Sequence, residues 1–358
     1  MKRIMTLIFV TVIGVSSSVR SQNVIAVTTP TGQTSVYTVL EAALDNANTG
    51  DYIYLPGGTF TFTKALRKGV TIIGAGHYPD STVYTNRTII EGSVSIGAGA
   101  SNALLEGMYF TGDVNFIPNE KTENVVVRRC NVGNVIFGNS WARNDTARCY
   151  NPLILHNVIR GVIEFYETYG FTVKGNIING AARVCIVHGG TLENNIFLSV
   201  GDKVTLGDLR NVSFKNNIFM NTQSLGWQGY GCYGYDGSCG TWGCSFINNI
   251  FMGKDTTINI IPLSSLRVGN IFQPNPNDLF VRQSGQVFDY NQDYHIRVGS
   301  PLRGTADDGT DVGIYGSSNP YKASAVPSNP HISFKDIPAS TLPNGTLPLK
   351  IKVSAQDK

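Results

Sequence analysis

The fold is decided by six related hexapeptides: ILHNVI (154–159), VKGNII (173–178), LENNIF (192–197), FKNNIF (214–219), FINNIF (246–251) and RVGNIF (267–272). In each of them an Asn stands at the fourth position and two apolar residues follow it. A weaker copy places Asn131 before Val132. The successive asparagines are separated by 26, 19, 19, 22, 32 and 21 residues, so the middle of the chain repeats with a period of about 20 residues.

This period, with β-branched and aromatic residues around each copy, predicts a solenoid of short strands. A leucine-rich repeat would need regularly spaced Leu, which the copies lack, so the prediction is a parallel β-helix. Its successive coils stack about 4.8 Å apart, which places equivalent asparagines above one another. Stacked asparagines can hydrogen-bond along the axis, and Asn tolerates the left-handed backbone of a tight corner. The repeated Asn is therefore interpreted as structural.

Composition favours the same all-β class. Gly supplies 39 of the 358 residues and only 15% of residues are charged, which argues against a helical bundle or a long charged coiled coil. Apolar residues make up 42% of the chain, so disorder is disfavoured as well.

The N-terminus has the three-part layout of a secretory signal peptide over residues 1–21. Lys2 and Arg3 precede an apolar run over 4–15, and a Ser-rich stretch leads to a cleavage site after Ser21. The run is about 12 residues long, whereas a membrane-spanning helix needs about 20, so a signal peptide is favoured over a retained anchor. No later segment reaches that length unbroken. The sequence predicts a secreted protein, periplasmic or extracellular, with no membrane span.

Cleavage changes the charge balance. The whole chain has a formal net charge of +3, but Lys2, Arg3 and Arg20 lie in the predicted signal, so 25 of the 28 basic side chains remain against 25 acidic ones. Nucleic-acid binding needs a basic footprint, so a nucleic-acid partner is not expected.

Residues 22–50 are predicted to form an N-terminal cap. Thr38 and Glu41 have the spacing of a capping box, apolar residues at 36, 39, 40, 43 and 47 follow helical spacing, and Gly50 can end the helix. Such a short amphipathic helix would cover the apolar end of the solenoid, which otherwise exposes core and strand edges.

Three runs near this end resemble the opening of pectin-lyase-like proteins: LEAA (40–43), GDYIYLPGGTF (50–60) and GVTIIGAG (69–76). SPL (300–302) and GTDVGIYG (309–316) are similar to the ending of secreted β-helix proteins of Gram-negative bacteria. The resemblance covers roughly residues 35–330 and implies a single-stranded right-handed parallel β-helix, with about ten coils over residues 51–316. The family includes lyases, hydrolases, adhesins and proteins without known activity, so it implies no single reaction.

Residues 317–358 differ, because five Pro residues interrupt them before alternation resumes over 347–353. An extended tail with a last strand is predicted, packed along the solenoid or free. No metal or cofactor is predicted. The sequence has no CxxC pair for zinc, and the acidic run 307–311 is interpreted as a turn because it lacks the spacing of a calcium loop. The Asp cluster of the family's calcium-dependent pectate lyases has no match here.

Candidate catalytic residues come from comparing coils of equal length. Glu164, Arg183 and Asp202 each lie seven residues after a repeated Asn, and Lys203 follows the last of them. In register they would form an acid–base–acid column on one face, with the two carboxylates about 10 Å apart. Two carboxylates suit glycoside hydrolysis, whereas a base beside a cation suits β-elimination. The alternative is a surface ladder of ion pairs.

Candidate binding residues lie near this column and in two insertions. Tyr169 and His188 each lie twelve residues after a repeated Asn. The insertions 138–149 and 226–244 supply the other candidates: Trp141, Arg143, Trp227, Tyr230, Tyr235 and Trp242. Protruding loops often carry binding residues, and aromatic rings suit sugar faces. For the second insertion, a self-packed loop stapled by a disulfide is the alternative.

Export permits disulfides among the six Cys residues. Cys130 and Cys149 can pair between neighbouring coils, and one more bridge can form among Cys232, Cys239 and Cys244. Cys185 falls at a strand position and is interpreted as a buried thiol.

The sequence thus predicts a secreted carbohydrate-active protein that binds an extended glycan on one solenoid face. Cleavage of that glycan by lyase or hydrolase chemistry is an open part of the prediction. A non-catalytic adhesion or glycan-binding protein and a purely structural scaffold are the alternatives.

Overall fold

The structure, a computed structural model, describes residues 24–137, 149–180, 182–199, 205–220, 241–253, 265–322 and 324–354. For residues 183–186, 205–208 and 241–242 within strands, only the backbone is described. These parts of the chain consist mainly of short β-strands. The described helices are one α-helix, Leu40–Asn46, and two 3₁₀ turns, Asp80–Thr82 and Pro276–Asp278. The all-β prediction is confirmed for this part of the chain.

A small sheet stacks ten parallel strands, one from each successive repeat. Its strands are Gly58–Thr61, Thr88–Glu91, Tyr109–Phe110, Asn131–Val132, Val158–Ile159, Ile177–Ile178, Ile196–Phe197, Ile218–Phe219, Ile250–Phe251 and Ile271–Phe272. Each strand pairs with its equivalent in the next repeat, so the repeats lie directly above one another.

A large sheet contains nineteen described strands and is parallel except at its start, where Ile25–Thr28 pairs antiparallel with two neighbours. Its strands are Ile25–Thr28, Thr34–Tyr37, Tyr52–Tyr54, Thr71–Ile73, Val94–Ile96, Leu104–Glu106, Val114–Phe116, Thr122–Glu123, Val126–Arg128, Val135–Phe137, Cys149–Tyr150, Leu153–Leu155, Ile163–Phe165, Thr168–Lys174, Ala182–Glu193, Thr205–Lys215, Thr241–Trp242, Ser245–Ile247 and Leu266–Val268. Long stacked parallel sheets of this kind are compatible with a parallel β-helix.

The repeated asparagines form a buried ladder, as predicted. From Asn176 to Asn270, the side-chain oxygen of each one accepts hydrogen bonds from the backbone N–H and the side-chain amide of the Asn in the preceding repeat, as between Asn195 and Asn176 at 3.0 Å. The ladder runs through Asn157, Asn176, Asn195, Asn217, Asn249 and Asn270. Every buried amide therefore has partners above and below, and this satisfaction fixes the register of the stack.

The residues with a left-handed backbone lie one position before the ladder. The hydrogen-bonding role and the left-handed corner, which were both predicted for one Asn, therefore belong to two adjacent rows. This left-handed row is Gly107, Arg129, His156, Gly175, Asn194, Asn216, Asn248 and Gly269, all with φ between +50° and +70°. Asn131 is also misplaced by one residue in the prediction. It pairs with Val158 in the small sheet, and Cys130 takes the ladder position, where its N–H donates to Asn157.

Stacked phenylalanines fill the space between the sheets. In the small sheet, the inward rings of Phe197, Phe219, Phe251 and Phe272 stack with centroids 4.7–5.1 Å apart. This spacing equals the strand spacing of a sheet, so identical residues at one position of each repeat pack face to face. Burial of these rings is a major source of stability for the stack.

The N-terminal helix is present, but its ends differ from the prediction. Val39 precedes the first turn without a side-chain cap, and the carboxylate of Glu41 accepts hydrogen bonds from the backbone of Thr63 and Lys64 instead. The helix ends at Asn46, because Ala47 already has an extended backbone. Gly50 (φ +96°) lies three residues further along and donates to Gly69. The predicted capping box is therefore wrong. Leu40 and Ala43 are buried in the main core.

Residues beyond the last sheet strands return along the stack. The apolar side chains of residues 279–325 cover the outward isoleucines of the small sheet: Ile177, Ile196, Ile218 and Ile250. The predicted division placed coils up to residue 316 and a tail from 317. In the structure the two long sheets end at Leu266–Val268 and Ile271–Phe272, and an antiparallel pair, Phe280–Arg282 with Asp293–Ile296, follows.

A return segment, which we define as residues 305–328, follows the left-handed row in reverse order. Asn248 donates to the carbonyl of Thr305 at 2.8 Å, and Asn194 donates to the carbonyl of Gly313 at 3.0 Å. Further along, the carbonyl of Val326 accepts from Arg129. The polar side chains of the left-handed row thus find their partners in the return segment. A second antiparallel pair, His331–Asp336 with Lys350–Ser354, forms the C-terminal hairpin.

The His156 side chain, in the left-handed row, makes stability depend on pH. Burial, reinforced by the positive charge of Arg129, lowers its pKa from 6.5 to about 4. Between these pH values the unfolded chain binds a proton that the folded chain does not, so stability falls as the pH drops through this window. The loss amounts to about 3 kcal/mol.

We expect H156N to flatten this part of the pH profile, because Asn occupies the equivalent position in three other repeats. Urea unfolding from pH 7 to pH 4 measures the effect, and wild type and H156N are compared because buried His77, with a pKa of about 3, titrates in the same range. Identical slopes for the two proteins would contradict the assignment.

Candidate functional site

One column of the large sheet consists of planar and charged side chains. In register it contains Glu123, Tyr150, Tyr169, His188, Arg210 and the backbone position of Trp242. We call it the ring column. Five steps of about 4.8 Å give it a length of about 24 Å. The side chains of Tyr150, Tyr169 and His188 are half-buried, and Arg210 is exposed.

The rings of this column stack on one another. The centroids of Tyr150 and Tyr169 are 5.1 Å apart, and those of Tyr169 and His188 are 4.8 Å apart with an interplanar angle of 11°. Lys121 places its ammonium 5.0 Å from the centroid of Tyr150. Because neighbouring ring faces cover each other, the column can offer a ligand only ring edges, hydroxyls and ring nitrogens, and not the flat faces that the sequence analysis expected.

A row of hydroxyl side chains runs parallel to the ring column, on the other side of a bend. The bend is a second row of residues with positive φ, which includes Gly170 and Gly189. The hydroxyl row contains Thr172, Thr191, Ser213 and Ser245, all half-buried. The hydroxyls of Ser213 and Ser245 lie 3.0 Å apart. Two polar rows therefore flank one edge of the stack.

The structure brings two of the predicted catalytic residues into register. Glu164 lies directly opposite Arg183, five residues before the ring column on the same repeats, and Glu164 is half-buried. In the next repeat Arg183 pairs with Thr205. The repeat that begins at Asn195 is three residues longer than the two before it, and the extra residues precede Thr205. The position seven residues after the ladder Asn is therefore no longer the one that pairs with Arg183. Asp202 and Lys203 lie outside the described residues.

An ion-pair ladder, the alternative for the predicted column, occupies a different position. Lys174 and Glu193 are adjacent in register and their charged atoms are 3.2 Å apart. Lys215 follows in the same column and pairs with Asp307 of the return segment at 2.6 Å. This column follows the hydroxyl row by two residues and ties the return segment to the large sheet.

Several predicted binding residues cannot be placed. Outside the described residues lie Trp141, Arg143, Trp227, Tyr230 and Tyr235. Trp242 has a described backbone only, which aligns it with Arg210 in the ring column. Tyr150 and Arg210 were not among the predicted site residues. Tyr150 precedes Tyr169 by the same 19 residues that separate Tyr169 from His188, so that spacing could have found it.

Two of the cysteines that were predicted to pair are not joined by a disulfide. Cys130 and Cys149 are buried free thiols, so the predicted Cys130–Cys149 bridge is wrong. Burial raises the pKa of Cys149 to about 11 and that of Cys130 to about 12, which makes both poor nucleophiles. Cys130 occupies the ladder, whereas Cys149 accepts from the Thr122 hydroxyl in an adjacent strand of the same sheet.

Within the described ranges, no group of three or more His, Cys, Asp or Glu side chains is placed to hold a metal ion. None of the described helices is both long and apolar enough to cross a membrane. No protein-family model matches the sequence, and no curated protein matches it either. The case for a function therefore depends on the ring column and its surroundings.

Proposed function

We propose that the protein is a secreted right-handed parallel β-helix of the pectin-lyase-like kind that binds an extended glycan along the ring column. The observation that carries the proposal is the unbroken line of ring and polar side chains from Glu123 to Arg210, four strand steps that span about 19 Å. A ligand that follows this line must be long and must offer hydrogen-bonding groups at regular intervals. Polysaccharides meet both requirements.

The neighbouring rows support a polar, linear ligand. The hydroxyl row beyond the bend adds further donors and acceptors along the same axis. Tyr hydroxyls and His ring nitrogens can donate and accept, whereas Arg210 and Lys121 only donate. Glu123 is paired with Lys121 at 2.5 Å, and Arg210 adds a further cationic side chain to the column.

The binding proposal predicts that Y169A weakens glycan affinity about tenfold, because truncation removes the central ring and unstacks its two neighbours. Y169F removes only the hydroxyl and should give an intermediate affinity. The measurement is a glycan panel on the purified full chain, followed by titration of the best ligand.

A matched control is Y52A, because Tyr52 also stacks on a neighbouring tyrosine, Tyr54, with centroids 6.4 Å apart, but lies outside the ring column. It should bind like wild type. Thermal melts check that both Ala variants remain folded. A wild-type protein that binds no glycan, or a Y169A variant that binds as tightly as wild type, would contradict the proposal.

Cleavage of the bound glycan is a second proposal, supported by the register pair of Glu164 and Arg183, which lies five residues before the ring column on the same repeats. The same panel is assayed for new reducing ends and for unsaturated products. Hydrolysis gives the first without the second, and β-elimination gives both. E164Q should abolish either product while leaving affinity in place. Binding without products would instead favour the non-catalytic adhesion alternative.

A further inference from the structure

The C-terminal hairpin is a sheet of two strands that no other described strand extends. Its first strand, His331–Asp336, is the one held against the stack. Four of its six side chains are half-buried, and the ring of Phe334 packs on Tyr84 with centroids 5.3 Å apart. The second strand, Lys350–Ser354, is exposed over its first four residues. An isolated hairpin is marginally stable in water, and an uncovered strand edge is a template for pairing with another chain.

An apolar row runs along this outer strand and the residues just before it. It consists of every second residue, and each member is between 42% and 61% exposed: Leu347, Leu349, Ile351 and Val353. Because successive side chains of a strand point to opposite faces, Ile351 and Val353 share one face of the hairpin. Exposed apolar side chains gathered in one segment are typical of an interaction surface.

The opposite face of the same strand is basic. Lys350 and Lys352 alternate with the apolar row and are both exposed. Lys352 places its ammonium 5.7 Å from the centroid of the Phe334 ring, and Lys350 lies opposite Asp336. The two strands together contain three lysines and one aspartate, so the hairpin has an excess of positive charge that suits an acidic partner.

The lysines also argue against a second copy of this chain as the partner. If two outer strands were centred on each other about a two-fold axis, Lys352 would lie directly opposite Lys352 of the other copy. Like charges directly opposite each other are destabilising in a sheet. An acidic residue at that position of a partner would be attracted instead, so the side chains that repel a copy also select the partner.

We propose that the outer strand of the C-terminal hairpin binds a strand of another protein in which acidic residues alternate with apolar ones. The acidic side chains of the partner would lie on the face of Lys350 and Lys352, and its apolar side chains would extend the face of Ile351 and Val353. The hairpin forms its own sheet, separate from the sheet that contains the ring column, so this proposal does not depend on glycan binding.

Fluorescence anisotropy of labelled peptides, titrated with the full chain, tests the proposal. A peptide that alternates valine and glutamate should bind. A peptide of the same composition with its glutamates grouped together should bind at least about tenfold more weakly, because it cannot place charged and apolar side chains on opposite faces. The double substitution K350E/K352E should weaken binding of the alternating acidic peptide about tenfold and create binding of a peptide that alternates valine and lysine.

I351S should weaken binding as well, because it interrupts the apolar row. Its matched control is V298S, since Val298 is 87% exposed and lies outside the hairpin, and this variant should bind like wild type. Hydrogen exchange should show that the amides of residues 350–354 gain protection when the acidic peptide is bound. Thermal melts establish that the variants are folded.

Failure of wild type to bind the alternating acidic peptide, equal affinity for the grouped peptide, or unchanged binding by folded K350E/K352E would each overturn the proposal. Two further results would overturn it by identifying another occupant. Self-association of the wild type that I351S abolishes, in sedimentation velocity, would point to a second copy. Binding to phosphatidylglycerol vesicles without binding to the peptide would point to a lipid surface.

Discussion

Replacing Asn195 by Ala should lower the free energy of unfolding by about 4 kcal/mol, because four buried side-chain hydrogen bonds of about 1 kcal/mol each are lost. The Asn195 oxygen accepts from the backbone and side chain of Asn176, and its amide donates to the carbonyl of Val173 at 2.8 Å and to Asn217 at 2.9 Å. The substitution leaves donors and acceptors unpaired in the repeats above and below. Urea unfolding of the variant measures the loss.

An exposed Asn provides the control. The Asn277 side chain is exposed and lies outside the ladder, so N277A should unfold like wild type. N195D tests the direction of the bonds, because an ionised carboxylate cannot donate to Val173 or Asn217 and would face their oxygens instead. It should be at least as destabilising as N195A at pH 7. A ladder variant as stable as N277A would mean that the amides contribute little.

The stacked fold could be predicted because its cause repeats in the sequence. An Asn followed by two apolar residues about every 20 positions requires equivalent residues to meet, and the ladder is the outcome. The prediction was wrong where the motif was weakest. Asn131 fits the sequence pattern, yet Cys130 occupies the ladder position. Asn131 pairs with Val158 in the small sheet, and this strand pairing sets the register whichever side chain then falls on the ladder.

The return segment had no comparable signal. The contacts of residues 305–328 with the stack include hydrogen bonds to Asn194 and Asn248, more than 50 positions earlier in the chain. Such contacts have no period, and the run of Pro and Gly indicates only irregular structure.

The candidate site was partly predictable for the same reason. Tyr169 and His188 lie in repeats of equal length, so spacing alone placed them in one column. Where a repeat gained three residues, spacing gave Asp202 as the neighbour of Arg183, whereas strand pairing gives Thr205. Extra residues are accommodated between strands. Counting residues from the ladder Asn therefore predicts which residues pair only up to the next insertion.

Glu106 is the residue whose replacement should most affect the return segment. Its fully buried carboxylate pairs with Arg128 at 2.7 Å and with Arg129 at 3.2 Å, and it accepts from the backbone N–H of Ser328 at 3.1 Å. Burial lowers the pKa of Arg129, and the negative charge of Glu106 opposes this effect. One carboxylate thus holds two guanidinium groups and the end of the return segment together.

We expect E106Q to lower the free energy of unfolding by roughly 3–5 kcal/mol, because removing one partner of a buried ion pair leaves uncompensated buried charge. The matched control is E123Q, which removes the same group from an exposed pair with Lys121 and should leave stability almost unchanged. Hydrogen exchange separates a local from a global effect. If Glu106 anchors the return segment, amides over 313–328 lose protection in E106Q before those of the ladder repeats do, since the ladder is satisfied without the carboxylate. Equal loss of protection in both regions would mean that Glu106 stabilises the stack itself, and unchanged protection over 313–328 would show that Ser328 and Val326 are held by other contacts.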